Sequence, residues 1–177
     1  METRKIAIRT ETPADHPAVY QVNKLAFEGN EAEPRLVEAI RRSPEFIPEL
    51  SLVALSEDKI VGHILFSRVT LQTRDGDIPI LALAPLAVLP DYQNQGIGSQ
   101  LTRHGLDVCR TLVFSVVSVL GHPNYYPRFG FIPARPLGIE PPFDVPEAAW
   151  MAIELQPGVL NNLRGRVRYP ATFQEAM

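Results

Sequence analysis

Residues 85–101 of this 177-residue chain read PLAVLPDYQNQGIGSQL, and Gln93-x-x-Gly96-x-Gly98 inside that stretch is the first place where chemistry is easy to locate. Glycines at the start of a helix let the backbone come close to a ligand, because no Cβ stands in the way. The amides of a first helical turn have no intrahelical partners and lie at the positive end of the helix dipole. Phosphate is the natural guest of such a site. The plainer alternative is a tight strand-to-helix turn that binds nothing. Two familiar phosphate loops fail on residue identity. A Walker A loop needs Lys and then Ser or Thr after its second glycine, whereas Gly98 is followed by Ser99-Gln100. A dinucleotide loop needs a third glycine, where this chain has Leu101, and its strand would come early rather than late. The single cysteine, Cys109, excludes an internal disulfide framework and a cysteine-clustered zinc site.

The surrounding sequence must position that loop. Ile6–Arg9 reads as a first strand, and Thr12-Pro13-Ala14-Asp15 as the start of a helix through Val19, Val22, Leu25 and Ala26. A second helix is expected from Glu31 to about Arg42, with Leu36, Val37 and Ile40 on one face and Pro44 and Pro48 beyond it. The period then changes to that of strands: Leu52–Leu55, Ile60–Leu71 and Ile78–Leu89, separated by turns at Glu57-Asp58-Lys59 and Asp75-Gly76-Asp77. Pro85 interrupts the last of these, since proline donates no ladder hydrogen bond, and predicts a distorted or splayed strand there. After the loop come a helix to about Arg110, with Ile97, Leu101, Val108 and Leu112 as its buried stripe, and a fully buried strand Leu112–Leu120. Asn124–Phe129 reads as a short turn or helix, Ala149–Leu155 as a strand, and Arg166–Tyr169 as the last strand. Eight of the 17 prolines lie between Pro123 and Pro157, so that region is expected to be rich in loops. The order of elements indicates an α+β or mixed α/β fold in one domain, 1–177, with no internal repeat.

The glycine loop, following Leu86-Ala87-Val88-x-Pro90, resembles the acetyl-coenzyme A motif of the GNAT N-acetyltransferases. Tyr126-Pro127-Arg128-Phe129-Gly130-Phe131 resembles that superfamily's Tyr-x-(Lys/Arg)-x-Gly-Phe, and GHPNYYPRFGF as a whole resembles a small single-domain branch of it. The tail from Trp150 to Leu155, Pro157-Gly158 and Val167–Phe173 is similar to that branch too, so the resemblance covers most of the chain. It implies a central, mostly antiparallel sheet, splayed at its fourth and fifth strands and flanked by helices. It also implies acetyl-CoA as co-substrate and no metal. The pantetheine arm would lie along Leu86, Ala87 and Val88, and the pyrophosphate on Gln93, Asn94, Gln95, Gly96, Ile97, Gly98 and Ser99. Pro85 would help the sheet part. Acyl transfer from a thioester needs a neutral amine, a stabilised oxyanion and a proton for the departing thiolate. Tyr126 matches the general acid: a phenol of ordinary pKa about 10 is protonated at neutral pH. The competing role for Tyr126 is packing under the proline-rich loop, and Tyr125 is assigned to packing or to the acceptor pocket.

Transfer by direct attack through a tetrahedral intermediate leaves Cys109 without a catalytic task, and His63 is given none. Val119 occupies a position where many members carry a cofactor-contacting Asn, and His122 one where the branch often has an acid. Leu81–Val88 holds no acid, so the general base is open. Glu28, Glu31 and Glu33 lie where acceptor contacts are expected, and equally suit a solvated helix face. The expected activity is transfer of acetyl to a primary amine; the alternative is a non-catalytic acyl-CoA-binding sensor or interaction module.

Composition narrows the classes further. Lys plus Arg is 17 against 20 for Asp plus Glu, a net charge of -3, which disfavours a nucleic-acid binder. No run approaches the roughly 18 apolar residues of a membrane span, and METRKIAIRTETPAD lacks a signal-peptide core. A cytoplasmic protein is expected, with a homodimer left open.

Overall fold

The computed structural model describes residues 5–175. The chain opens with strand β1 (Ile6–Thr10), which pairs antiparallel with β2 (Ser51–Ser56). Between them run helices α1 (His16–Ala26) and α2 (Ala32–Arg41). Asp15 holds the entry to α1: its carboxylate accepts the Thr12 N–H at 2.7 Å and Arg9 Nη1 at 2.6 Å. Val19 and Val22 of α1, and Leu36, Val37 and Ile40 of α2, are buried, as their helical spacing predicts.

Strands β3 (Lys59–Thr73) and β4 (Gly76–Val88) form a long antiparallel hairpin at the centre. Successive side chains of β3 serve opposite faces. Ile64 and Phe66 join the cluster that includes Leu101 and Leu106 of α3 (Ile97–Arg110), while Leu65, Val69 and Leu71 join the one that includes Val19, Val37 and Ile40. The sheet is therefore covered on both sides, which is why the central strands are apolar almost throughout.

Pro85 distorts β4, as expected. Ile64 lies opposite Leu86 but Phe66 lies opposite Leu83, so Ala84 and Pro85 together face Leu65 in a bulge. On its other edge β4 runs parallel to β5 (Val116–Leu120), paired only at Leu81 with Val117 and Ala82 with Ser118. The Ser118 hydroxyl donates to Leu81 O at 3.2 Å at this last shared step. Beyond it the two strands part, and the fourth and fifth strands are splayed.

The remaining pieces close the sheet around this cleft. Strand β6 (Ile132–Pro133) and strand β8 (Trp150–Glu154) pair antiparallel, and β8 also pairs with β5. Strand β7 (Ile139–Glu140) joins β9 (Gly165–Arg168), which returns to β3; the short helix α4 (Ala171–Glu175) follows. Trp150 Nε1–H donates to Ile139 O at 2.9 Å and pins this tail to β8. The sheet order is β1-β2-β3-β4-β5-β8-β6.

Two expectations need correction. The strand expected over Leu112–Leu120 begins only at Val116: Val113 is 93% exposed, so the apolar run starts in a turn and not in the core. The buried stripe of α3 runs through Ile97, Leu101, Leu106 and Cys109; Val108 and Leu112 are only partly covered. Among the described residues no helix is long and apolar enough to cross a membrane.

Candidate active site

The parted strands leave the far end of β4 with main-chain groups unused on one edge. Leu89 N–H donates to Val61 O on β3, so strand alternation turns Ala87 toward β3 and Leu86 and Val88 toward the cleft. The Val88 carbonyl is taken by Gln93 Nε2–H at 2.9 Å, which ties the loop after β4 back to its own strand. A single helical turn, Pro90–Tyr92, then delivers the chain to α3.

This loop reaches α3 through two left-handed residues, Asn94 (φ 62°) and Gly96 (φ 85°). A β-carbon is disfavoured there, and glycine at the helix cap removes that cost. The first α3 ladder bond from the loop is Gln100 N–H to Gly96 O. Among the described residues, no protein group accepts the main-chain N–H groups from Asn94 through Ser99. Gln93 does not belong to that set, because its N–H reaches Pro90 O at 3.4 Å. The result is a run of free donors at the positive end of a 14-residue helix, which fits an anionic group such as a diphosphate.

The same cavity, about 920 Å³, joins this loop to the β4–β5 parting. It is lined by Leu86, Val88, Gln93, Asn94, Gly96, Ile97, Gly98 and Ser99 from the expected cofactor segment, and by Tyr126. Ala87 and Gln95 do not line it. Ala87 is buried in the core, and Gln95 Nε2–H donates to Asp91 O at 3.3 Å at the loop surface.

Tyr126 opens the short helix Tyr126–Phe129, and its ring is buried edge-on to Phe131, with centroids 5.5 Å apart. Gly121 makes room for it: a Cβ there would run into the Tyr126 ring. Burial, and then the neighbouring Tyr125, push the Tyr126 phenol up from its ordinary pKa. No described group hydrogen-bonds the Tyr126 hydroxyl, so it is available to a guest in the cavity. Tyr125 stands perpendicular to Tyr126 at 5.1 Å and carries the Arg128 guanidinium over its ring at 5.0 Å. Its hydroxyl abuts Gly98, where an added Cβ would sit 2.9 Å away. Tyr125 thus packs the seam between the tyrosine segment and the start of α3.

Other wall residues come from outside both motifs: Phe27 at the end of α1, Glu33 in the first turn of α2, and His122 beside Gly121. Burial raises the Glu33 pKa. Glu31, by contrast, pairs with Lys24 at 3.4 Å and Arg35 at 3.0 Å on the surface. The sequence shows three acids close together, and nothing in their spacing separates the one that turns inward. Cys109 is buried, and that burial pushes its thiol up to about 12 and leaves it inert. Among the described residues no group of three or more His, Cys, Asp or Glu side chains could hold a metal ion.

A mixed sheet parted between two parallel neighbours, with a helix N-terminus at the mouth of the parting, is the architecture of the GNAT acetyltransferases. Comparison with known proteins agrees: residues 7–134 match the acetyltransferase (GNAT) domain, and the chain belongs to that family. It is 42% identical over 143 residues, 78% of either chain, to the uncharacterized N-acetyltransferase YjhQ of Escherichia coli K12. It is 33% identical to the uncharacterized N-acetyltransferase YhbS of the same strain, across 94% of this chain and 97% of that one. The crystal structure of Escherichia coli YhbS in complex with CoA superimposes with a TM-score of 0.89, covering 98% of this chain and 94% of that one at 32% identity. A GNAT acetyltransferase from Brucella melitensis in complex with acetyl-CoA gives 0.77, at 31% identity over 96% and 99%.

Proposed function

We propose that this chain is a single-domain, cytoplasmic N-acetyltransferase of residues 1–177 that moves acetyl from acetyl-CoA to a primary amine. The observation that carries the reading is one cavity that joins three things: the edge of β4 at Leu86 and Val88, the unpartnered amides of Asn94, Gly96, Ile97, Gly98 and Ser99, and Tyr126. The CoA and acetyl-CoA complexes of the two structural relatives support it.

The thioester supplies an activated acetyl group; the protein supplies its placement and its protons. Main-chain donors from Asn94 to Ser99 would hold the diphosphate against the α3 dipole, fixing the cofactor by its most highly charged part. The free strand edge at Leu86 and at the Val88 N–H would take the pantetheine amides as a neighbouring strand would. A main-chain N–H of that edge would face the thioester oxygen as negative charge grows on it. Tyr126, held neutral by burial, keeps its proton at physiological pH and would give it to the departing sulfur.

Tyr126→Phe is the test. It should lower acetyl-CoA-dependent thiol release with an amine by about 10²-fold or more while CoA affinity stays within about threefold. Turnover preserved in the variant would return Tyr126 to a packing role. A wild type that binds CoA yet never exceeds background hydrolysis with any amine would instead establish the sensor reading.

A further inference from the structure

Glu33 is the only carboxylate on the wall of the cavity among the described residues. Among the described residues it has no ion pair or hydrogen bond, whereas Glu31 two residues earlier is neutralised by Lys24 and Arg35. A half-buried carboxylate without a partner is costly unless a cation comes to meet it. Of the two basic side chains on the same wall, His122 and Arg128, the guanidinium of Arg128 is laid over the Tyr125 ring at 5.0 Å. Phe27 lines the same cavity and offers an apolar surface, as well as a ring face that tolerates positive charge. Neither residue belongs to the glycine loop or the tyrosine segment, so both are free of the cofactor's requirements.

We propose that Glu33 receives the ammonium group of the acceptor and takes its proton, so that the acceptor is an alkylamine cationic at neutral pH with an apolar body against Phe27. This rests on the acetyl-transfer reading above. The balance is simple. The ammonium gives one proton to the Glu33 carboxylate, which passes it to solvent. The freed lone pair attacks the thioester carbon, the C–N bond forms, and the C–S bond breaks. Tyr126 protonates the thiolate and recovers a proton from the nitrogen as the amide forms. One ammonium and one thioester yield one amide, one thiol and one proton. Burial raises the affinity of Glu33 for that proton, which suits a base.

The test compares Glu33→Gln with wild type on butylamine and phenethylamine, which are cationic at pH 7, and on aniline, which is neutral and needs no deprotonation. CoA affinity is measured alongside. Glu33→Gln should keep CoA affinity within about threefold, lose about 10²-fold or more in kcat/KM for the alkylamines, and change little with aniline. Equal losses on both amine types, no loss on either, a wild type active only on aniline, or loss of CoA affinity in the variant would each overturn the assignment. A wild type that fails to bind CoA, or turns over none of the amines, defeats the acetyl-transfer reading itself, which separates that failure from this one.

Discussion

Tyr126 and His63 show how the same burial can serve opposite ends. Both are enclosed, but Tyr126 lines a cavity and its hydroxyl has no hydrogen-bond partner among the described residues, while His63 is satisfied on both ring nitrogens. Asn23 Nδ2 donates to Val19 O at 3.0 Å and approaches His63 Nδ1 at 3.1 Å, which makes Nδ1 an acceptor and leaves Nε2–H to donate to Ser51 Oγ at 3.0 Å. The ring is therefore neutral. Burial, and then the charge of Arg41, lower its pKa to about 3. Between that value and an unfolded histidine near 6.5, the unfolded chain binds the extra proton, so stability must fall as pH drops through this window. The slope from this one group approaches about 1.4 kcal/mol per pH unit. His63→Gln should be less stable than wild type at pH 7 by about 1–3 kcal/mol, and urea unfolding should show the gap closing as pH falls toward 5. Parallel profiles would contradict the neutral buried ring. The sequence placed His63 in a strand and left it without a role, and that much was legible. Its partners were not, because Asn23 lies 40 residues away on another element. Glu33 was hidden for a related reason: its neighbours Glu28 and Glu31 look the same in sequence, and only the packing of α1 and α2 decides which acid is enclosed.

The decisive element is the β4-loop-α3 unit. Its glycine spacing was readable because the backbone itself demands it: Gly96 is left-handed, and Gly98 lies under the Tyr125 hydroxyl. Gly96→Val would force a branched residue into that region at a cost of about 1–3 kcal/mol and turn the loop amides out of line. Titration calorimetry should show CoA affinity falling at least about tenfold in a variant that still unfolds cooperatively. Unchanged affinity would mean that the amides do not hold the cofactor. The distortion at Pro85 was equally legible, since a missing donor inside an apolar strand has few outcomes. The start of β5 was not. Leu112, Val113 and Phe114 carry strand-like side chains, and only tertiary context sends Val113 to solvent.

For the molecule as a whole, the long central hairpin and the helices on either face follow from period and hydrophobicity, and so could be read in advance. Strands β6 and β7, two residues each, exist only because β8 and β9 are there to pair with them, and no local pattern announces such pieces. The parting of β4 from β5 also belongs to this scale. Two paired steps hold the strands at Leu81 and Ala82, and the parting beyond them is where the proposed cofactor would lie. A crystal structure with CoA tests that idea most directly. It should show pantetheine running along Leu86 and Val88, with diphosphate oxygens about 3 Å from the main-chain nitrogens between Asn94 and Ser99. CoA bound elsewhere, with the cleft closed by the protein's own side chains, would contradict it.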